Sequence, residues 1–443
     1  MFIKIRDAIK MQNRSNMQLK LNNVAKVKEA VINVDGITVI AGENNTGKST
    51  IGKTLFTIFN SMCNMDKKIL HEKSERLQEI LLSSIKNSLI NHSEYSYEYR
   101  KFYRILEQKL FSGLSETLLN MNIQEREEFL RKLVYDIGLD KQLENSEECI
   151  QDCIEKLEAI IHIPDKKVIM EVSTRWFNKV FETQLSPLYD DVAVSEIELK
   201  IKDKKCNYKF ENNTCIDWDS DINILHEAFY IDNPFVIDYM SNRFAELKVT
   251  DEHLVEYLRK KTGIFDNIFE SILAKDKLIE INALLSEIVD GEIIKDPNGE
   301  YYLHSKNFRN PVNIKNLSTG LKSFALIKKL LENGSLKEKD VLILDEPEIH
   351  LHSEWQLAYA EIIVLLQKKF DLTMIITTHS PYFLDAIDVY AAKYEISNKV
   401  NYYLAESTGD ASSLYDVTQN IDAIYKKLSD PLQKLENMRS KLI

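Results

Sequence analysis

Two periods alternate along this chain. Short unbroken apolar runs rich in β-branched residues fit strands buried on both faces, and apolar residues returning every three or four positions fit amphipathic helices. ITVIA (Ile37 to Ala41), VLIL (Val341 to Leu344) and MIITT (Met374 to Thr378) belong to the first kind. Ile51, Leu55, Ile58 and Phe59 belong to the second, as do Leu321, Phe324, Ile327 and Leu331, and Trp355, Tyr359, Ile362, Ile363 and Leu366. Ser318 is placed to cap the second of these helices and Asn333-Gly334 to end it. Residues 66–165 repeat Leu and Ile at helical spacing with almost no Gly or Pro. Without sustained heptads this predicts a compact helical insertion rather than a long coiled coil.

Strict alternation marks other stretches. EIELKIKDKKCNYKFENNTCIDW (Glu196 to Trp218) predicts antiparallel strands, and LKLNNVAKVKEAVINV near the start is strand-like. AFYIDNPFVIDY (Ala228 to Tyr239) predicts a strand and a turn at Asn233-Pro234. A second helical stretch follows over 240–288, then GEIIKDPNGEYYLHS, a hairpin turning at Asn298-Gly299. Strands mixed with helices in this order predict an α/β fold with a mixed sheet, an antiparallel β part and large helical insertions.

Between the first buried strand and the first helix stands GENNTGKST, that is Gly42, four residues, then Gly47, Lys48 and Ser49. Glycines at both ends permit a tight loop whose N–H groups turn inward onto phosphate oxygens, and the following helix adds its positive end. Lys48 is placed for the β- and γ-phosphates and the Ser49 hydroxyl for Mg²⁺. Asn44, Asn45, Thr46 and Thr50 complete the predicted nucleotide loop. Such a loop forecasts a carboxylate at the end of another buried strand. Asp345 and Glu346 follow VLIL directly. Asp345 is suited to hold Mg²⁺ through water, and Glu346 to polarise an attacking water. His379 ends the third buried strand, a usual place for ligands in α/β sheets, and is a candidate γ-phosphate sensor. Leu-Ser-x-Gly within NLSTGLKSF (Asn316 to Phe324) opens the helix before the acidic strand.

The net charge of −12 argues against a broadly basic nucleic-acid surface, though not against a local groove. The cluster Arg259, Lys260 and Lys261 is small enough to be a solvated face. The tyrosine-dense tract SEYSYEYRKFY (Ser93 to Tyr103) reads either as bundle core or as a stacking surface. Cys149 and Cys153 stand four apart without a second pair at metal spacing, so the cysteines read as reduced thiols. The first residues lack a continuous apolar stretch, and no run approaches a membrane span. The expectation is a cytoplasmic protein with no membrane contact.

Together GENNTGKST, NLSTGLKSF, LILDEPEIHLHSEWQ and TTHSPYFL resemble the ABC-type ATPases grouped with SMC, RecF and the OLD nucleases. Within that group the chain is most similar to the compact ATPases of bacterial anti-phage modules, such as the ATPase subunit of Septu. The resemblance covers residues 17–60 and 290–390 and is most specific at DEPEIHLHSEWQ, with His350, His352 and Trp355 after the acids. SMC-like members often carry Gly where Asn45 stands.

The resemblance implies ATP and Mg²⁺ as cofactors, Lys48 and Ser49 on phosphates and Mg²⁺, Asp345 on Mg²⁺, Glu346 as catalytic base and His379 as γ-phosphate sensor. It implies that Ser318 and Gly320 act in trans on nucleotide held by a second copy, so the chain would be at least a homodimer, with a higher oligomer open. It further implies a separate effector partner, such as a nuclease, a toxin or a retron component. A RecF- or SMC-like repair ATPase acting on DNA, and a slow ATP-sensing scaffold, remain alternatives. The stretch after His379 is short for a Toprim domain, so a nuclease is expected on another protein. No glutamine loop is assigned. The expected organisation is a first head segment 1–65, a helical insertion 66–165, a β-rich head segment 166–239, a second insertion 240–288 and a last head segment 289–443.

Overall fold

The computed structural model describes residues 17–88, 118–137, 146–190, 193–242, 245–260 and 268–442. The tyrosine-dense tract, Lys261 and the first sixteen residues lie outside them, as does the side chain of Cys149. In chain order the elements are β1 (Met17–Val24), β2 (Val27–Asn33), β3 (Ile37–Gly42), α1 (Lys48–Met62), α2 (Met65–Ser88), α3 (Ile123–Ile137), α4 (Ser146–Ile161) and α5 (Asp165–Phe181). They continue with β4 (Ser195–Ile201), β5 (Lys204–Glu211), β6 (Thr214–Ser220), β7 (Ala228–Ile231), a 3₁₀ helix Pro234–Ser241, α6 (Val249–Arg259) and α7 (Ile268–Ile288). The last part holds β8 (Glu292–Lys295), β9 (Tyr301–His304), β10 (Val312–Asn313), α8 (Thr319–Glu332), β11 (Val341–Asp345), α9 (Ser353–Phe370), β12 (Thr373–Thr378), α10 (Pro381–Lys393), β13 (Val400–Thr408), β14 (Ala411–Asp416) and α11 (Asp422–Leu442).

Among the described residues eleven strands form one sheet in the order β6-β5-β4-β1-β2-β14-β13-β3-β12-β11-β7. Its two halves differ as their sequences do. β13, β3, β12, β11 and β7 run parallel, and β3, β7 and β12 are buried at every position. Strands covered on both faces have no polar face to alternate with. β4, β5 and β6 pair antiparallel with each other and through β4 with β1, and they alternate. The expected mixed α/β sheet is therefore present, with the antiparallel part joined to the parallel part in one sheet. β8, β9 and β10 make a separate small sheet.

The parallel half carries the main core, in which Phe229, Leu342, Leu344 and Ile376 meet Phe324 and Tyr359 from α8 and α9. Helix α1 lies on β3, β7, β11 and β12 and is buried at all positions but Ser49 and Lys53. Its buried Thr54 and Thr57 hydroxyls return hydrogen bonds to Thr50 O and Lys53 O. β7 is an edge strand of four residues, too short to hold itself. Asn60 of α1 acts as its extra partner: the amide donates to Ala228 O at 2.8 Å and accepts from Ala228 N at 3.0 Å.

The chain divides into two compact units, one of residues 1–63 with 172–443, the other of residues 64–171. The second is helical, with a core of Leu77, Leu81, Leu118, Leu130, Ile154 and Leu157. Arg126 is buried there, donates to Leu118 O at 2.8 Å and pairs with Glu158.

One detail differs from expectation. The β8–β9 connection is not a two-residue Asn298-Gly299 turn. Gly299 N donates to Asp296 O at 3.1 Å, Asp296 N donates to Glu300 O at 2.8 Å, and only Gly299 takes positive φ, +94°. A two-residue type I′ turn needs both central residues left-handed, whereas here a wider loop leaves that conformation to the glycine alone.

Candidate nucleotide site

The loop between β3 and α1 is left-handed at Asn45, φ +61°, and at Gly47, φ +76°, and Gly47 is the N-cap of α1. Both glycines are also sterically required. A Cβ on Gly42 would stand 2.3 Å from Ala405 O, and one on Gly47 would stand 2.6 Å from Val27 Cγ2. Thr46 closes the loop by donating to Glu43 O at 2.8 Å. Lys48 is buried and its Nζ donates to Glu43 O at 2.8 Å and Gly42 O at 3.3 Å. Burial lowers its pKa, and the opposing charges of Glu346, Asp345 and Glu348 pull it back up. Thr50 is buried and Ser49 half-buried at the helix start, while Asn44 and Asn45 are exposed.

Strand β11 ends at Asp345, whose carboxylate is held from both sides. Tyr230 donates its hydroxyl to Oδ2 at 2.5 Å, and Thr377 of β12 donates to Oδ1. Glu346 turns left-handed, φ +53°, with its N–H bonded to Thr377 Oγ1 at 3.0 Å. A non-glycine residue held there stores strain. The turn sets Glu346 Oε1 3.0 Å from His379 Nε2, just beyond β12, and both side chains stay partly exposed. Burial, and secondarily the Lys48 charge, hold the His379 pKa below the ordinary histidine value against the pull of Glu346.

The structure thus gathers Lys48, Ser49, Asp345, Glu346 and His379 at the carboxyl ends of β3, β11 and β12. Strand order explains it: β12 lies between β3 and β11, so the three ends are adjacent although the sequence scatters them. Ser318 and Gly320 are not in this group. Ser318 caps α8 by accepting from Leu321 N at 3.4 Å. A Cβ on Gly320 would meet the Trp355 ring at 2.9 Å and His350 O at 3.0 Å. Lys322, one turn on, is buried, donates to Asp238 Oδ2 at 2.6 Å and lies over the Phe235 ring. No hydrogen bond or ion pair among the described residues joins Ser318 or Gly320 to the Lys48–His379 group.

Three residues escaped the sequence reading. Tyr230 is buried in β7 and also interacts with Ser49, so it links that hydroxyl to Asp345. A tyrosine in a fully buried strand needs a partner for its hydroxyl, and that was the available signal. Asp232, just after β7, has its pKa raised by burial with help from the Asp345 charge. Glu348 is buried beneath His379. A cavity of about 500 Å³ borders the loop at Asn45 and is lined by Lys26, Asn45, Leu188, Tyr189 and Asp410.

Ser49 and Asp345 fit a shared Mg²⁺. The hydroxyl and carboxylate face one phosphate loop, and the two hydrogen bonds already on Asp345 favour contact through water. No group of three or more His, Cys, Asp or Glu among the described residues is arranged to hold a metal alone. No described helix is long and apolar enough to cross a membrane.

Comparison with known proteins gives the following. Among solved structures the chain is similar to the SMC head domain from Thermotoga maritima, with 12% identity over 90% of this chain and 98% of that one and a TM-score of 0.38. It is also similar to the Smc head domain with an extended coiled coil from Pyrococcus furiosus, bound to the C-terminal domain of ScpA, with 11% identity over 95% and 98% and a TM-score of 0.33. Residues 37–385 match the family described as "AAA domain, putative AbiEii toxin, Type IV TA system". That stretch runs from β3 and its phosphate loop through Asp345 and Glu346 to His379, and the chain belongs to this AAA-domain family.

Proposed function

We propose that the chain binds ATP in the Gly42–Thr50 loop and hydrolyses it at Glu346. The observation that supports this best is the 3.0 Å approach of Glu346 to His379, beside a buried lysine and a doubly hydrogen-bonded aspartate. Lys48 would exchange loop carbonyls for β- and γ-phosphate oxygens. Mg²⁺, when bound, supplies charge neutralisation on those phosphates, with Ser49 and Asp345 as its protein partners. Glu346 then takes a proton from a water as the water oxygen bonds to the γ-phosphorus. The bond from that phosphorus to the bridging oxygen breaks, releasing ADP and phosphate. His379 orients the γ-phosphoryl group. Catalysis of this kind is mainly positioning and charge stabilisation. The cavity at Leu188 and Tyr189 is the reading's place for base and ribose, since it borders the loop at Asn45.

Among the described residues Ser318 and Gly320 share no hydrogen bond or ion pair with the Lys48 group, and in this reading they act on nucleotide bound by a second copy, as the resemblance to ABC-type ATPases implies. ATP would then hold two chains together and hydrolysis would release them, with motion passed to the helical insertions expected over 66–165 and 240–288. The domain boundaries expected from the sequence belong to this proposal. In biological terms the chain would regulate a separate effector, a nuclease or toxin, in anti-phage defence. The family's description and the resemblance to Septu-type ATPases support that part.

The test is direct. Glu346→Gln should accumulate an ATP-bound dimer, read by light scattering with and without ATP, and a monomer in saturating ATP would overturn the shared site. Lys48→Ala should weaken ATP binding at least about tenfold in calorimetry, since a charge-assisted hydrogen bond is worth about 1.5–3 kcal/mol; unchanged affinity would remove Lys48 from the site. Purification from the native operon identifies the effector, whereas a chain that emerges alone with DNA-stimulated turnover would favour the repair reading.

A further inference from the structure

Glu348 lies two residues beyond Glu346, yet its side chain points into the protein. It is only 6% exposed. Its Oε1 accepts from Thr378 Oγ1 at 2.7 Å and from the backbone N–H of His379 at 2.8 Å. Its Oε2 is buried and has no hydrogen-bond partner among the described residues. Apart from its own amide, the bonds of this carboxylate therefore all go to residues 378 and 379. Thr378 Oγ1 in turn accepts from Ser380 N at 3.0 Å. Ser380 caps α10, accepts from Phe383 N at 3.2 Å and donates to Gln356 Oε1 at 2.9 Å. One buried acid thus governs the exit of β12, the residue where the strand stops and the entry into α10.

A buried carboxylate is expensive unless its hydrogen bonds are good. The location supplies a reason for an oxygen at this place: one atom accepts from the Thr378 hydroxyl and from the backbone N–H of His379 at once. Glu346 and Glu348 leave the same turn in opposite roles, one meeting the His379 ring and the other holding the His379 backbone. The ring and the catalytic carboxylate are registered against each other because both sit on the segment 346–348.

We propose that Glu348 is a positioning residue for ATP hydrolysis, fixing the backbone of His379 so that its imidazole stands against Glu346. The proposal rests on the ATPase reading above. Its consequence is specific: Glu348 acts on turnover through His379 and leaves nucleotide binding alone.

The experiment is a double-mutant cycle on the full chain, with turnover normalised to bound nucleotide so that misfolded protein is not counted. Glu348→Ala should lower kcat by about ten- to a hundredfold, the effect of a small misplacement of a reacting group, and shift the ATP Kd less than twofold. Glu348→Gln keeps an oxygen for Thr378 and His379 and should recover most of the lost kcat. In a His379→Ala background, Glu348→Ala should cost less than twofold more, because residues acting as one unit are not additive. Full additivity, or equal losses in kcat and in ATP affinity, would overturn the proposal and leave Glu348 a structural acid. A second readout needs no turnover: the imidazole ¹⁵N resonances of His379, assigned by their loss in His379→Ala, should move in Glu348→Ala and return in Glu348→Gln. Unmoved resonances in Glu348→Ala would also overturn it. Absence of ATP hydrolysis in the wild-type chain is a different failure, that of the ATPase reading, and the resonance test still decides whether Glu348 places His379.

Discussion

At the scale of single residues, the site is held by contacts that tolerate little change of volume. Gly320 is the clearest case. Its φ is ordinary, so no left-handed backbone demands a glycine, but the space where a Cβ would go is filled by the Trp355 ring at 2.9 Å and the His350 carbonyl at 3.0 Å. The tract DEPEIHLHSEWQ and the Leu-Ser-x-Gly tract are therefore fitted to each other within one chain. Gly320→Ala should destabilise the fold by about 1–3 kcal/mol, the usual penalty of overpacking, measured by denaturant unfolding. Full stability would mean that Trp355 moves away freely. Glu346 shows the opposite economy, a carboxylate kept at φ +53° because its N–H finds Thr377 and its side chain finds His379.

At the scale of elements, β7 is the weakest part of the parallel half and the one that brings Tyr230 and Asp232 to the site. It is short, lies at the sheet edge and pairs with β11 alone. Asn60 supplies the missing partner for Ala228 on both its N–H and its carbonyl. Asn60→Leu would leave two buried backbone groups unpaired at about 1–3 kcal/mol each. The expected result is a loss of about 2–6 kcal/mol, with faster amide hydrogen exchange concentrated over Ala228–Ile231. Exchange that quickens evenly over the whole unit would contradict a local role for Asn60. Helix α8 is tied to the segment following β7 by the ion pair of buried Lys322 with Asp238.

At the scale of the whole molecule, acidity is unevenly borne. The chain carries a net charge of −12, and among its acids Asp251 is pushed up to about 6 by burial and by Asp232, with Lys248 opposing. This folded pKa lies above the unfolded value, so the ionised carboxylate disfavours the fold above pH 6. As the pH falls from 6 toward 4, the folded chain takes up this proton before the unfolded chain does, and Asp251 contributes stability in that direction. Asp251→Asn removes the charge at every pH. The variant should be more stable than wild type at pH 8, with the advantage fading by pH 4.5, read as the difference in denaturation midpoints. The lost attraction between this acid and the start of α6, about 0.3–1 kcal/mol, works against that gain without changing its pH dependence. An advantage independent of pH would exclude the assignment.

What the sequence determined by itself was local. The phosphate loop, the buried strands ending in Asp345 and His379, the Ser318 cap and the alternation of β4 to β6 are set by residues within a few positions of each other, and period, glycine placement and capping chemistry act at that range. The same locality explains the hairpin: it turns where Asn298-Gly299 marked it, but the width of the loop is set by Asp296 and Glu300, which close it. The tertiary structure alone decided which strand ends meet. Placing β12 between β3 and β11 brings Lys48, Asp345, Glu346 and His379 into one group, and adding β7 at the edge sets Tyr230 on Asp345, 115 residues away in the chain. It also decided that Glu348 points inward under His379 and that Gly320 packs on Trp355. Such contacts depend on strand order and on the close packing of side chains from distant segments, and no pattern confined to neighbouring residues encodes them.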